Sequence, residues 1–103
     1  MKIKTSELTV TALDWAVARI EGDELPKSGG KGSDYSTDWA QGGPIIEREK
    51  IGVWWDGVWH AKYDGCRPDQ VQDAHTPLIA AMRCYVASKL GDEVEIPNEL
   101  IGE

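Results

Sequence analysis

The sequence predicts an α+β domain in which two helices pack on a small antiparallel β-sheet built around a central hairpin. Three observations predict it. An apolar stripe at helical spacing covers residues 10–20, and a second, bounded by a cap and a glycine, covers 77–90. Between them, two β-rich runs meet at Asp56-Gly57. A chain of 103 residues makes one domain with one modest core.

Thr9 is placed to cap a helix that runs to about Ile20, because Val10, Leu13, Val17 and Ile20 recur at spacings of three, four and three. Ala12, Trp15 and Ala16 widen the buried sector, and Gly22 supplies the stop. From Gly22 to Asp34 the chain is polar and glycine-rich, which reads as a flexible surface loop over 22–34. Tyr35 to Pro44 is aperiodic and ends in Gly42-Gly43-Pro44, a loop whose glycines can take positive φ. Pro44 then opens a short helix through Glu49, with an extended Ile45-Ile46 as the competing reading.

Residues 51–55 and 58–63 form the hairpin around a type I′ Asp56-Gly57 turn, so one of Trp54 and Trp55 points away from the core. Asp64 to His75 reads as a loop. The last helix begins at Thr76 as N-cap and Pro77 as first residue, and it stops before Gly91. Leu78, Met82, Tyr85, Val86 and Leu90 form its inner face. A short edge strand precedes Pro97.

Eighteen acidic residues against eleven basic ones give a net charge of −7, which argues against a general grip on nucleic-acid phosphates. No run approaches the roughly 18 apolar residues of a membrane span. The opening Met1-Lys2-Ile3-Lys4-Thr5-Ser6 lacks the apolar centre of a signal peptide, so a cytosolic location without membrane contact is expected.

Five Trp, three Tyr and no Phe make an aromatic set in which every ring carries a polar handle, suited to surfaces that meet a ligand or partner. His60, Cys66, His75 and Cys84 lack the close spacing of a zinc knuckle, so free thiols, no metal and no cofactor are expected. Cys66 has no activating helix start, and Gly29-Gly30-Lys31-Gly32 lacks the flanking strand and helix of a phosphate loop. A non-enzymatic role follows.

A binding site remains. Tyr35, Trp39, Trp54, Trp55 and Trp59 lie in or beside the Gly-Gly-Pro segment and the hairpin, and a planar ring stacked on such side chains gains roughly 1–3 kcal/mol each. The candidate ligand-binding set has Tyr35, Trp39 and Trp59 as walls, with His60 beside them. Gln41, Gly42 and Gly43 are its donors, and Arg48 and Arg83 its clamps on phosphate or carboxylate. The competing reading pairs Arg48 with Glu47 or Glu49 and leaves Arg83 solvated.

Several segments resemble the NinX-like family of lambdoid phages and prophages. They are Thr5-Ser6-Glu7-Leu8, Ala12 to Ala18, Trp39 to Glu47, Trp59-His60-Ala61 and Thr76 to Gly91, in that order. The stretch from Gly22 to Asp34 departs from the resemblance, being shorter and more polar than the strand-like insertion usual there. The resemblance implies a small phage accessory protein, dispensable for the virion and acting in the host bacterial cytoplasm. It supplies no catalytic residues. By analogy, such proteins act against the host by sequestering a small signal or by binding a host protein. The first expectation is a binder of a small, planar, anionic, nucleotide-like molecule, enclosed in a homo-oligomer where two copies meet. The alternative is a protein-interaction module that uses the outward Trp of the hairpin against a host protein.

Overall fold

A computed structural model describes residues 2–22 and 34–97. The α+β class holds, with three α-helices and two small antiparallel sheets among the described residues rather than two helices on one sheet. In chain order the elements are β1 (Lys2–Lys4), α1 (Val10–Glu21), α2 (Trp39–Glu49), β2 (Gly52–Trp55), β3 (Trp59–Lys62), β4 (Gln72–Ala74), α3 (Pro77–Leu90) and β5 (Glu93–Glu95). The predicted 22–34 loop lies outside the described residues apart from its ends, as does the tail beyond Pro97.

Helix α3 is the axis of the fold. Thr76 caps it through the Ile79 amide at 3.1 Å, Pro77 is its first residue and Gly91 follows its end. Leu78, Met82, Tyr85 and Val86 are buried as predicted. Ala80, Ala81 and Ala87 are the close-approach positions expected of them, Cys84 is buried as a small apolar residue, and Ile79 adds to the buried surface. A helix buried nearly all round is a core helix. Its alanines let α1, α2 and the sheet β2-β3-β4 approach from different sides. Cys84 lies on it as a free thiol, pushed up to about 12 by burial.

Helix α1 follows its predicted bounds. Thr9 sits at the N-cap and its carbonyl receives the Leu13 amide at 2.7 Å, although its hydroxyl makes no cap bond. Leu13 and Val17 are fully buried, whereas Val10 is exposed and Asp14 is buried in the sector expected to be apolar.

The largest correction concerns α2. Residues 39–44 are helical, not a glycine loop: Asp38 caps the helix through the Ala40 amide at 2.9 Å. Gly42 is required for space rather than for positive φ. A Cβ there would lie 2.3 Å from the Tyr35 carbonyl oxygen and 2.7 Å from Leu78 Cδ1. Pro44 is interior to the helix, yet both it and Ala40, whose carbonyl loses its donor, are exposed, so water can take the lost bond.

The hairpin is present with a different turn. Trp55 pairs with Trp59, so Asp56-Gly57-Val58 is a three-residue connection, and only Gly57 takes positive φ. A type I′ turn needs two such residues. The segment read as a loop over 64–75 contains a third strand, β4, which pairs with β3 through Trp59↔Ala74, His60↔Asp73 and Ala61↔Gln72. The predicted C-terminal strand pairs with β1 in the register Lys2↔Glu95, Ile3↔Val94, Lys4↔Glu93. Val94 is buried and Ile3 half-buried, while lysines face glutamates on the exposed side.

Candidate functional site

The antiparallel register sorts the hairpin side chains onto two faces. Val53, Trp55, Trp59 and Ala61 share the face toward α3, whereas Trp54, His60 and Lys62 share the outer face. On the outer face the Trp54 and His60 rings stack, with centroids 5.2 Å apart and planes at 27°. Lys62 Nζ lies 6.0 Å from the Trp54 ring. His60 Nδ1 stands 2.6 Å from Asp73 Oδ1 on the neighbouring strand. A carboxylate only accepts, so Nδ1 carries the proton of this bond. At the tip, Trp55 packs tilted on Trp59 at 5.4 Å.

Both indoles of the pair remain open to solvent: Trp54 is 40% exposed and Trp55 59%. The sequence predicts one outward Trp, and the register makes it Trp54; Trp55 shares the α3 face but is exposed as well. Trp54 lies on the outer face, and Trp55 lies past the end of the core at the hairpin tip. Large exposed aromatics grouped on one protruding element are the usual mark of an interaction surface.

The predicted ligand set is dispersed. Tyr35 is buried in the core, and the neighbouring Ser36 donates its amide to Asp14 at 2.8 Å. Trp39 is 53% exposed on the first turn of α2. Gln41 accepts from the Asp34 amide at 2.9 Å and donates to the Asp38 carboxylate at 3.0 Å. The Gly42 amide bonds the Asp38 carbonyl at 2.9 Å, and Gly43 lies inside the helix beside the Trp39 ring. Trp59 is half-buried against the core. Tyr35, Trp39, Gln41, Gly42 and Gly43 gather at the start of α2, while Trp59 and His60 are sequence neighbours on opposite faces of β3.

Neither arginine is positioned as a clamp. Arg48 grips Glu21 through both terminal nitrogens at 2.7 and 3.2 Å, reaches Glu49 at 2.9 Å and donates to Tyr85 Oη at 3.0 Å. The Tyr85 hydroxyl in turn donates to Glu21. Burial and the bonded Glu21 carboxylate push the Tyr85 phenol above its ordinary value. The Arg48 guanidinium holds Glu21 below the usual carboxylate range, even against burial. Arg83 donates from Nε and Nη2 to the Leu8 carbonyl at 3.0 and 2.8 Å, and from Nη1 to the Asp73 carbonyl at 2.8 Å.

Two clefts escape the sequence reading. One of about 700 Å³ is lined by Lys2, Lys4, Thr5, Ser6, Gln72, Asp92 and Glu93 among others. A second of about 380 Å³ is bordered by Lys50, Gly52, Lys62, Tyr63 and Cys66 at the hairpin base. None of the nine predicted residues lines either one. The residues missed on the outer face are Lys62 and Asp73. Their signal was the alternation of β3, which becomes useful only once β4 is known to pair with it.

The model of one protein family, described as NinX of bacteriophage P22, matches residues 4–89. The match runs from the last residue of β1 nearly to the end of α3, so it takes in both the helical core and the hairpin. No curated protein matches the chain.

Proposed function

The chain belongs to the NinX family of bacteriophage P22, and from that premise we propose that this small phage accessory protein is a non-enzymatic interaction module that binds a host protein through its hairpin. One observation carries the reading: Trp54 and Trp55 stand open on the hairpin while the side chains of Arg48 and Arg83 are committed to groups within the fold. Buried aromatic anchors ringed by polar groups dominate the energetics of protein interfaces. Here His60, Asp73 and Lys62 supply the polar ring around Trp54. No helix of the described residues is long and apolar enough to cross a membrane.

A second reading keeps one specific support. The open ring of Trp39 offers a stacking surface for a nucleotide-type signal, whose sequestration would counter a host defence. The two readings separate in one set of proteins: the parent, Trp54→Ala and Trp39→Ala. Under the interaction reading, a host protein is retained stoichiometrically by the parent and by Trp39→Ala, and is lost with Trp54→Ala. Nucleotides and cyclic dinucleotides then leave the parent's tryptophan fluorescence unchanged. Quenching by such a molecule that disappears in Trp39→Ala, with no retained protein, overturns the interaction reading in favour of the second.

A further inference from the structure

The three-stranded sheet has two edges, and they are finished differently. At the β4 edge, the Asp73 carbonyl is occupied by Arg83, whose other nitrogens tie it to Leu8. The β2 edge, Gly52–Trp55, carries no lysine, proline or bulge, the devices by which soluble proteins blunt a free edge. Among the described residues β2 pairs only with β3.

Gly52 needs an explanation. Glycine weakens a strand, and in strands it often marks a close approach by something else. Its backbone does not take positive φ, and a Cβ there would meet nothing nearer than the Lys62 carbonyl at 4.0 Å. This fold therefore demands glycine at position 52 neither for conformation nor for space.

We propose that a second copy of the chain occupies this edge, with β2 pairing antiparallel to its own symmetry mate about a two-fold axis through Val53. In a continuous sheet, opposed residues must share a face, so only registers that pair positions of like parity are allowed. With Val53 opposite Val53, Gly52 lies opposite Trp54 of the second copy, so each bulky indole of the outer face is set against a residue with no side chain. At the strand ends the same register brings the base of each hairpin, where Lys50 is the left-handed cap of α2, beside the tip of the other, where Asp56 opens the turn, so an opposite-charge pair flanks the axis on either side. Centring the two-fold on Trp54 instead sets indole against indole and leaves Asp56 facing Gly52. The charge pattern of Lys50 to Asp56 is thus self-complementary in one register, as an isologous interface requires. The product is a six-stranded sheet, β4-β3-β2-β2-β3-β4, whose outer side carries two Trp54–His60 stacks. It forms in the purified chain and does not depend on the host-partner reading.

Sedimentation equilibrium of the full chain tests the proposal, together with Lys50→Glu, Asp56→Lys and the double exchange. The parent runs at twice the mass of one chain, each single reversal weakens association at least tenfold, and the double exchange restores it. Register is read by Val53→Cys and Trp54→Cys, each in a Cys66→Ser background. Residues directly opposed in an antiparallel pair lie about 4.5–5.5 Å apart between Cα atoms, within disulfide reach. Val53→Cys therefore oxidises to a covalent dimer and Trp54→Cys does not. A parent that stays monomeric at every concentration overturns the proposal. So does a dimer indifferent to both charge reversals, or one trapped by Trp54→Cys rather than Val53→Cys. Failure here leaves host-protein retention by a monomer intact, so the two readings fail separately.

Discussion

The junction of the three helices and the hairpin handle polar and aromatic groups in opposite ways. Where α1, α2 and α3 meet, Glu21, Arg48, Glu49 and Tyr85 bond one another, and Lys89 adds an ion pair to Glu49 at 3.5 Å. On the hairpin, two of its three tryptophans face water, and the His60–Asp73 pair lies on an exposed sheet surface. An arginine with four of its five N–H donors engaged, as Arg48 has, stabilises a fold and has little left to offer a ligand. An indole left in water contributes little to the fold, and its apolar area is available to whatever covers it. The difference separates residues that build this protein from residues that act for it.

The largest expected effect lies in the core. Met82 is fully buried on the central helix, so Met82→Ala costs about 2–5 kcal/mol in urea unfolding. A variant as stable as the parent would mean that α3 is not the axis of the fold.

Arg83→Met comes next. It leaves the Leu8 and Asp73 carbonyls without their charged donor and costs about 1.5–3 kcal/mol, measured the same way. If Arg83→Met instead keeps full stability and abolishes partner retention, Arg83 belongs with the hairpin as a functional residue and the contrast fails.

Glu21→Gln gives a smaller effect that depends on pH. Arg48 holds the folded Glu21 carboxyl below its ordinary value near 4.5. The unfolded state therefore binds the proton more readily, and the stabilisation is present above that value and is lost as pH falls from there through the lower value of the folded state. Arg48 is half exposed, so screening limits the difference from the parent to about 1 kcal/mol or less at neutral pH. Thermal melts of both proteins should converge in acid, and a constant gap from neutral pH to pH 3 would contradict the assignment.

Trp55→Ala is at the bottom of the stability scale and the top of the functional one. Its ring is mostly in water, so unfolding shifts by no more than about 0.5 kcal/mol. As an interface anchor worth about 2 kcal/mol, its loss weakens partner binding about thirtyfold. Loss of stability without loss of binding would place Trp55 with the builders.

Sequence and structure agree where local chemistry decides. Thr76, Pro77 and Gly91 bracket α3 because cap, first-turn proline and terminal glycine act within a few residues. The start of α2 was illegible because two glycines and a proline argue against a helix, and what outweighs them is tertiary. Gly42 lets the helix lie against the Tyr35 carbonyl, and Asp38 caps it. β1 and β5 alternate one apolar residue with flanking charges, a pattern that gains meaning only when each is seen to pair with a segment at the other end of the chain. Asp14 was hidden in an apolar helical stripe, although it anchors the Ser36 amide, and burial raises its carboxyl above the ordinary value.

The candidate site divides in the same way. That the tryptophans matter was legible from their number and clustering. The fate of Arg48 and Arg83 was not, since Glu21, Tyr85 and the Leu8 carbonyl are far from them in sequence.

The direct test of the contrast is photo-crosslinking in phage-host cells, with a benzophenone amino acid placed at position 54 in one protein and at position 39 in another. Position 54 gives a discrete host-protein adduct and position 39 gives none. An adduct from position 39 alone would contradict it and move the working surface to the start of α2.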